Sequence, residues 1–327
     1  MNSHEASADG ATLALRVTDI HDETGSIRSF EFRPADSSML PAYEAGAHLE
    51  VEVELPDGQR ALRPYSLIGD PVDRHRYRIA VLLEADGRGG SRYLHQQVGQ
   101  GTVLRAVPPE NAFAMAPGAE HSVMLAGGIG ITPILGMIRT LERQGQSFEV
   151  HYTARTPMEM AFRETIGSLD GGAGHLYYSR VAGHQSLDLR SLLANPKPGV
   201  HLYVCGPRGM IRSVLELSGE LGWPRDQLHF ESFGAKQLPD DRAIDVHLAL
   251  TGITVRVAPG ETILEALLKA GVWAPSECGR GECGSCMTRL IDGEPDHRDV
   301  CLSQEMRSSY LCTCVSRARS GHLTLDL

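Results

Sequence analysis

The stretch Cys278-Gly-Arg-Gly-Glu-Cys283-Gly-Ser-Cys286, with a further cysteine at Cys314, decides the fold of this chain. The spacing C-x4-C-x2-C followed by a distant fourth cysteine is the ligand pattern of a plant-type [2Fe–2S] centre. Glycines in such a loop let the backbone turn its amides toward sulfur without steric cost. We therefore predict that these four cysteines ligate an iron–sulfur cluster and that the domain around them transfers single electrons.

Two other uses of these cysteines compete with this interpretation. Cys283 and Cys286 could anchor a zinc site, although zinc sites usually combine two short Cys pairs. Cys312 is a rival fourth ligand, because residues two apart on a strand face the same side and Cys314 stands at that distance. Cys301 has no partner at ligand spacing, and we expect a core thiol. The fourteen histidines form no H-E-x-x-H or comparable cluster, so we expect surface or core positions for them.

The composition describes a soluble globular protein. The 327 residues, 42% hydrophobic and 22% charged, are too many for one ordinary core and suggest two or three domains. The net charge of −10 argues against nucleic acid or an anionic membrane surface as the main partner. The first residues lack the pattern of a signal peptide, and no apolar run reaches the roughly 18 residues that span a bilayer. Because the seven cysteines form no even framework of crosslinks, we expect a cytoplasmic protein.

Residues 1–117 have the pattern of antiparallel β-strands. Ser29–Arg33, His48–Leu55 and Arg76–Leu83 alternate apolar and polar residues, and Asp-Gly pairs at 57–58 and 86–87 mark turns. Short strands at this spacing predict a barrel or a sandwich. A proline-rich loop then indicates a domain boundary.

From residue 118 to residue 235 the pattern changes to strands that alternate with helices, which predicts a parallel sheet flanked by helices. The predicted strands are Ser122–Ala126, Phe148–Thr153, His175–Ser179, His201–Cys205 and Gln227–Phe233, and the predicted helices are Thr132–Gln144, Pro157–Ser168 and Pro207–Leu221. Residues 236–242 have the composition of a linker. Within residues 243–327, the sequence predicts a hairpin over Ile244–Val257 and a helix over Glu261–Ala270 before the cysteine loop.

Two motifs in the first domain fit a flavin. Tyr65 could pack on the isoalloxazine ring, Ser66 could donate a hydrogen bond near N5, and Arg63 with the loop Arg88–Ser91 could bind a phosphate. Taken singly, each motif is an ordinary strand end or turn. Their joint occurrence in a chain with an iron–sulfur pattern favours the functional interpretation.

In the second domain, Ala126-Gly-Gly-Ile-Gly-Ile-Thr-Pro133 joins a buried strand to a helix N-terminus, which suits a pyrophosphate. The loop departs from the G-x-G-x-x-G pattern, because Pro133 stands at the third glycine position. Cys205-Gly206-Pro207 ends a later strand, and ligands of open α/β sheets bind beyond such strand ends. Cys205 is either a small buried hydrophobe or a contact of the nicotinamide.

Taken in order along nearly the whole chain, these motifs resemble the phthalate dioxygenase reductase and vanillate demethylase reductase family. The resemblance also rests on Glu231-Ser-Phe-Gly-Ala235, Asp296-His-Arg-Asp299 and Cys314-Val-Ser-Arg-Ala318. It implies an antiparallel β-barrel that binds FMN over residues 1–117, an α/β nucleotide-binding domain over 118–235, and a C-terminal β-grasp ferredoxin over 243–327.

The family's roles apply to the matching positions of this chain. The implied FMN contacts are Arg63, Pro64, Tyr65, Ser66, Ala80, Val81, Leu82, Arg88, Gly89, Gly90, Ser91, Thr132 and Phe233. The implied nucleotide contacts are Gly127, Gly128, Gly130, Cys205, Gly206 and Pro207. Ser66 and Cys205 are the residues expected at the site of hydride transfer. Pro64 and Leu82 stand where relatives often have Thr and Lys, and the strand end Thr153-Ala-Arg155 lacks the carboxylate that would bind a ribose 2′-hydroxyl.

The resemblance implies a reductase that passes electrons from NADH through FMN and a [2Fe–2S] cluster, one at a time, to a terminal Rieske-type non-haem iron oxygenase. FMN is needed because NADH gives two electrons as a hydride whereas the cluster accepts one. Two rival functions are a flavin or ferric reductase that serves diffusible acceptors, and a non-catalytic electron-transfer or redox-sensing subunit.

Overall fold

A computed structural model of the chain describes residues 12–36, 38–85, 87–183, 186–233 and 241–327. It divides into two compact units. The first unit contains an antiparallel and a parallel sheet, and the second contains a C-terminal sheet together with the helix Arg208–Glu220. Most of the predicted linker, residues 236–240, and the last two residues of the predicted nucleotide-binding domain, 234–235, lie outside the described residues.

The N-terminal part of the first unit is a six-stranded antiparallel sheet in the order β4-β3-β6-β1-β2-β5. Its strands are β1 (Leu13–Asp22), β2 (Ile27–Pro34), β3 (His48–Glu54), β4 (Arg60–Ser66), β5 (Tyr77–Leu82) and β6 (Val103–Glu110). An antiparallel bridge between Leu67 and Ile79 joins the two edges, so that the sheet closes into a barrel. Alternate residues Leu49, Val51 and Val53 of β3 are buried inside it, as the sequence predicts.

Helix α1 (Gly90–Gln97) follows β5, and the sequence analysis did not predict it. Its first residue is Gly90, and the N-cap residue Gly89 has a φ of 95°. The predicted turn at residues 87–91 is therefore the entry to a helix.

The second part of the first unit is a five-stranded sheet in the order β11-β10-β7-β8-β9, with β10, β7, β8 and β9 parallel. Its elements are β7 (His121–Gly127), α2 (Ile131–Gln144), β8 (Ser147–Ala154), α3 (Arg163–Gly167), β9 (Gly174–Tyr178), α4 (Leu189–Leu193), β10 (Val200–Cys205) and β11 (Leu228–Glu231); helix α5 (Arg208–Glu220) belongs to the second unit. The predicted α/β order is confirmed. The predicted helix over Pro157–Ser168 is wrong in extent, because Phe162 has a φ of 57° and separates a 3-10 turn from α3.

The barrel and the parallel sheet share one hydrophobic core. Ile68 and Ala80 of the barrel belong to the same buried cluster as Ala126, Ile131 and Ile134. This packing holds the carboxyl end of β7 close to β5, which brings the two predicted cofactor sites together.

The second unit has a five-stranded sheet in the order β13-β12-β16-β14-β15. Its elements are β12 (Ile244–Leu248), β13 (Thr254–Val257), α6 (Ile263–Lys269), β14 (Met287–Asp296), β15 (Tyr310–Cys312) and β16 (Arg317–Leu325). The central pair β12 and β16 is parallel, its neighbours are antiparallel, and α6 packs on the sheet, which is a β-grasp arrangement. Thr262 and Glu265 form a capping box at the start of α6.

Within the residues that the structure describes, no helix is long and apolar enough to cross a membrane.

Candidate functional site

The four predicted cluster ligands lie together in the second unit as two pairs. The Sγ atoms of Cys278 and Cys283 are 3.2 Å apart, and those of Cys286 and Cys314 are 3.1 Å apart. A [2Fe–2S] cluster is held by four thiolates, two on each iron, so two close thiol pairs on one loop and one turn fit its ligand requirement.

The backbone of the loop also fits a cluster. Gly279, Gly281 and Gly284 all have positive φ angles, which favour glycine. A Cβ at Gly281 would lie 2.6 Å from Val315 Cγ2, so the loop passes too close to the turn after Cys314 for any larger residue. The amide of Arg280 donates to Cys278 Sγ at 3.4 Å, as expected of a loop whose amides face sulfur.

Neighbouring thiols favour the ligating form of Cys286. Hydrogen bonding with the thiols of Cys312 and Cys314 holds the pKa of the Cys286 thiol well below its usual range. A lowered pKa favours the thiolate, which is the ligating form of cysteine.

The premise that made Cys312 a rival ligand is wrong. Cys312 ends β15, and Cys314 lies in the turn that follows, so the two residues do not share a strand face. Cys312 Sγ instead lies 3.6 Å from Cys301 Sγ. Cys301 packs against the core of this unit, as predicted, and these two thiols form a third pair beside the ligand pairs.

A buried ion network borders the cysteine loop. Arg280, inside the loop, lies 3.5 Å from both Glu231 Oε1 and Glu282 Oε2. Burial raises the pKa of Glu231 to about 7, although the charge of Arg280 opposes the shift. Among the residues that the structure describes, none hydrogen-bonds to Glu231 Oε2. The sequence analysis included Glu231 in a motif but gave it no role, because its burial against a residue 49 positions away is not encoded in local spacing.

The predicted flavin residues of β4 and β5 meet where the barrel closes. The bridge from Leu67 to Ile79 places Tyr65 and Ser66 beside Ala80 and Val81. Ser66 and Val81 are buried, and burial raises the pKa of Tyr65, which keeps its phenol protonated. Pro64 pairs with Glu50 in the ladder between β3 and β4, and Leu82 is partly exposed at the end of β5.

The predicted phosphate-binding residues lie where α1 begins. A Cβ at Gly90 would lie 2.9 Å from Arg63 Cγ, so the helix N-terminus can approach β4 this closely only with glycine. Gly89 in turn lies against Pro56. The Ser91 hydroxyl accepts a hydrogen bond of 3.0 Å from the amide of Glu84. Arg88 stands two positions before Gly90 in the sequence and belongs to the second unit, where its guanidinium lies 3.6 Å from Glu265. Free helical amides and a guanidinium are a suitable combination for a phosphate.

The predicted nucleotide loops lie at the carboxyl edge of adjacent parallel strands. Cys205, at the end of β10, is paired in register with Ala126, immediately before Gly127 on β7. Gly127 ends β7, and Gly128 has a φ of 55° in the turn that leads through Gly130 into α2. Tyr152 of β8 donates a 3.0 Å hydrogen bond to the carbonyl of Gly128 and supports this turn.

The Cys205 side chain is fully buried in the shared core. That position fits the alternative in which the thiol acts as a small buried hydrophobic group. The backbone of Cys205 still lies at the carboxyl end of β10, next to the predicted nucleotide turn. Gly206 and Pro207 follow, and the Pro207 carbonyl accepts hydrogen bonds from the first turn of α5.

Thr132 and Phe233 complete the set of predicted positions. Thr132 is buried in the first turn of α2, where its hydroxyl donates to the carbonyl of Ile129 at 2.9 Å. Phe233 follows β11 and is 47% exposed, which leaves an aromatic ring available to a ligand.

Comparison with known proteins extends these findings. Residues 246–319 match the family described as 2Fe-2S iron-sulfur cluster binding domain, and residues 102–228 match the N-terminal domain of dimethylamine monooxygenase subunit DmmA-like proteins. The chain is 39% identical to the phthalate 4,5-dioxygenase oxygenase reductase subunit of Pseudomonas putida, over the full length of both. It is 40% identical to the heme-dependent oxidative N-demethylase beta subunit of Ectopseudomonas mendocina, over 96% of this chain and 99% of that protein.

A solved structure of phthalate dioxygenase reductase, described as a modular structure for electron transfer from pyridine nucleotides to [2Fe-2S], superposes with a TM-score of 0.74. The two are 36% identical, and the alignment covers 97% of this chain and 98% of that one.

Fold and site together define an oxidoreductase with a flavin barrel, a nucleotide-binding sheet and an iron–sulfur domain. The chain belongs to the phthalate dioxygenase reductase family, which is the family that its motifs resemble. Its cofactors are FMN and a [2Fe–2S] cluster, and its electron donor is NADH.

Proposed function

We propose that this protein is the reductase component of a multicomponent oxygenase and delivers single electrons to a Rieske-type, non-haem iron terminal oxygenase. The observation that carries the proposal is the arrangement of four thiols in two close pairs in the second unit, three on the glycine-rich loop and Cys314 on the turn after β15. In the first unit, the predicted flavin residues at the barrel closure and the predicted nucleotide turn border the same hydrophobic cluster. An oxygenase partner is supported by the full-length similarity to reductase subunits of oxygenase systems.

The residue roles are part of the proposal. Cys278, Cys283, Cys286 and Cys314 hold the cluster. Arg63 and the start of α1 bind the FMN phosphate, while Tyr65, Ser66 and the strand Ala80–Leu82 hold its ring. Gly127–Gly130 and the backbone after Cys205 position the nicotinamide. When bound, FMN supplies the conversion of a two-electron donor to one-electron steps.

Ser66 has a defined part at the reacting centre. Its side chain lies at the closure of the barrel between β4 and β5 and is 4% exposed, so water does not compete for its hydroxyl. We propose that this hydroxyl donates to the flavin ring and orients it for hydride transfer.

The domain limits and the compartment are also proposals. We propose an FMN domain over residues 1–117, a nucleotide domain over 118–235, a linker over 236–242 and a ferredoxin domain over 243–327. Among the described cysteines none forms a disulfide, although Cys301 and Cys312 lie close together, and this fits the proposed reducing cytoplasm.

A haem-containing terminal component is the second candidate partner. The observation that favours it is the 40% identity to the beta subunit of a heme-dependent oxidative N-demethylase. The cysteine loop presents the same donor to either acceptor, so the structure of the reductase alone does not discriminate between the two partners.

The test is NADH oxidation by the protein loaded with FMN and cluster, in the presence of a purified Rieske oxygenase, a haem-dependent oxygenase, free FMN or Fe(III) citrate. We expect the Rieske component to be reduced and to raise turnover. The matched control is Cys286→Ser, which should lose transfer to the oxygenase but keep reduction of ferricyanide by the flavin.

Turnover with the haem component alone would identify the second candidate as the partner. Rapid turnover with free FMN or Fe(III) citrate and no gain from either oxygenase would identify a reductase of diffusible acceptors. Absence of NADH oxidation with every acceptor would contradict the proposal and indicate a sensing subunit.

A further inference from the structure

One face of the parallel sheet carries a cluster of imidazole and carboxylate side chains that the electron-transfer function does not use. Glu149 and His151 are two residues apart on β8, so their side chains lie on the same face. His175 on β9 is paired in register with His151, and His121 on β7 is paired with Ser147, two positions before Glu149. Three adjacent strands therefore present four potential metal ligands on one face.

The donor atoms converge. His151 Nε2 lies 3.5 Å from Glu149 Oε2, and His121 Nε2 lies 3.9 Å from Glu149 Oε1. The rings of His151 and His175 stack with their centroids 4.7 Å apart. One donor atom from each of Glu149, His151 and His175 lies within 4.8 Å of the other two.

These separations are near those of a metal site. Two ligand atoms bound to a tetrahedral ion at about 2.0–2.1 Å are about 3.4 Å apart. Side-chain rotations that bring the donor atoms roughly an ångström closer together would therefore allow them to bind one ion. Glu149 is partly exposed and is free to make this adjustment.

His151 supplies an independent observation. Only 6% of the residue is exposed, and among the described residues its buried Nε2 meets no hydrogen-bond acceptor or donor at ideal geometry, the nearest carboxylate being that of Glu149 at 3.5 Å. Its Nδ1 lies 3.0 Å from the Tyr177 hydroxyl. When Tyr177 accepts the Nδ1 proton, the lone pair of Nε2 points toward Glu149, and a hydrogen-bonded Nδ1 is the usual arrangement of a histidine that ligates a metal.

The charge at the site suits a cation. The Glu149 carboxylate is the acidic member of the cluster, and its oxygens lie 3.5 Å from His151 Nε2 and 3.9 Å from His121 Nε2. Two imidazoles and a carboxylate are a ligand set for Zn²⁺ and for other divalent transition metals.

We propose that Glu149, His151 and His175 form a binding site for one divalent transition-metal ion, with Zn²⁺ as the first ion to test and His121 as a further donor. The bound ion would join β7, β8 and the edge strand β9 and would stabilise the sheet. The sequence analysis expected no histidine cluster, because these ligands come together only through the register of three strands.

The test uses the complete protein with FMN and cluster bound. Zn²⁺ binding is measured by titration calorimetry, and the coordination shell by X-ray absorption at the zinc edge. We expect one Zn²⁺ per chain with only nitrogen and oxygen ligands. His175→Ala and the shape-conserving Glu149→Gln should each weaken binding by at least tenfold, since even second-shell changes cost 10–100-fold.

Two control variants separate this site from other zinc ligands. The first control is Cys301→Ser, which removes a thiol from a second group of possible ligands, Asp299, Cys301 and Cys312, whose donor atoms also lie within 4.8 Å of one another. The second control is His247→Ala, which removes an exposed histidine of β12. Both should leave the affinity unchanged. The proposal would be overturned if the parent protein bound no Zn²⁺ or if the coordination shell of the zinc contained sulfur. It would also be overturned if Cys301→Ser lost binding, or if Glu149→Gln and His175→Ala both bound Zn²⁺ as tightly as the parent.

Discussion

Cys314 and Cys312 are neighbouring thiols, of which we propose Cys314 as the fourth cluster ligand. Cys314 Sγ lies 3.1 Å from Cys286 Sγ, whereas Cys312 Sγ is paired with Cys301 at 3.6 Å. We expect Cys314→Ser to lower iron content and cluster absorbance and Cys312→Ser to leave both normal. The loss in Cys314→Ser need not be complete, because the Cys312 thiol also contacts Cys286 and can replace the missing ligand.

The double variant Cys312→Ser/Cys314→Ser is the control for that replacement and should retain less iron than Cys314→Ser alone. Loss of the cluster in Cys312→Ser, with a normal cluster in Cys314→Ser, would show that the ligand assignment is reversed.

Glu231 makes stability depend on pH. Burial raises its pKa from 4.5 to about 7, so the folded protein binds a proton that the unfolded chain releases, and this group destabilises the fold increasingly as pH rises from 4.5 to 7. Glu231→Gln should therefore be more stable than the parent at pH 8, by about 1–3 kcal/mol from about 1.4 kcal/mol per pKa unit. The difference should disappear near pH 4.5.

Urea denaturation at pH 8 and pH 5, followed by cluster absorbance, measures this difference. Glu216→Gln on the exposed side of α5 is the matched control and should change little at either pH. A Glu231→Gln variant that is less stable than the parent at pH 8 would mean that the ion pair with Arg280 outweighs the burial of the carboxylate.

At the level of elements, the start of α1 has to fit against β4. A methyl group at Gly90 would lie 2.9 Å from Arg63 Cγ and 3.3 Å from Val53 Cγ2. We expect Gly90→Ala to displace Arg63 or the helix and to weaken FMN binding by about tenfold, equivalent to about 1.4 kcal/mol. Flavin content and FMN titration of the apoprotein measure the effect. Gly99→Ala is the control, since a methyl group there has no atom within 4 Å, and equal FMN affinity in both variants would contradict the assigned phosphate site.

The carboxyl ends of β8 and β9 bear on nucleotide choice. Arg155 follows β8, and its carbonyl accepts a hydrogen bond from the amide of Arg180, so the two arginines are neighbours. The strand end Thr153-Ala-Arg155 has no carboxylate that could bind the ribose 2′-hydroxyl of NADH. We expect NADH to have the higher kcat/KM, and Arg155→Ala to lower kcat/KM for NADPH more than for NADH, because a guanidinium can bind a 2′-phosphate. If Arg155→Ala changes both nucleotides equally, this residue does not contact the 2′ position.

The sequence predicts a helix or strand well where a single hydrophobic periodicity or a single helix-capping signal dominates the segment. The helix predicted from Thr132 begins one residue earlier and ends at Gln144 as predicted, and the hairpin within Ile244–Val257 is confirmed. Helix α1 escapes prediction because its N-cap and its first residue, Gly89 and Gly90, are glycines, which normally indicate a turn. The histidine cluster and the pairing of Cys301 with Cys312 escape because both depend on residues from separate strands or loops.

At the scale of the whole molecule, the two compact units have separate cores. The residues proposed for the flavin ring and the nicotinamide turn belong to the first unit. All four cysteines belong to the second unit, where Cys286 and Cys314 are part of the buried core. Cluster loss should therefore leave flavin chemistry intact. We expect Cys286→Ser/Cys314→Ser to contain no [2Fe–2S] cluster, to bind FMN with a flavin:chain ratio near that of the parent, and to be reduced by NADH at a rate within about twofold, since a mutation outside the reacting geometry leaves the barrier unchanged.

Stopped-flow absorbance at the flavin band measures that reduction, and iron analysis confirms the loss of cluster. The same variant should fail to reduce a terminal oxygenase, because no one-electron carrier remains to accept from the flavin. The Cys301→Ser variant, which removes a thiol outside the ligand set, should retain both activities. If flavin reduction disappears together with the cluster, the second unit is required for the first to bind or orient its cofactors, and electron entry and electron exit are not separable functions of this chain.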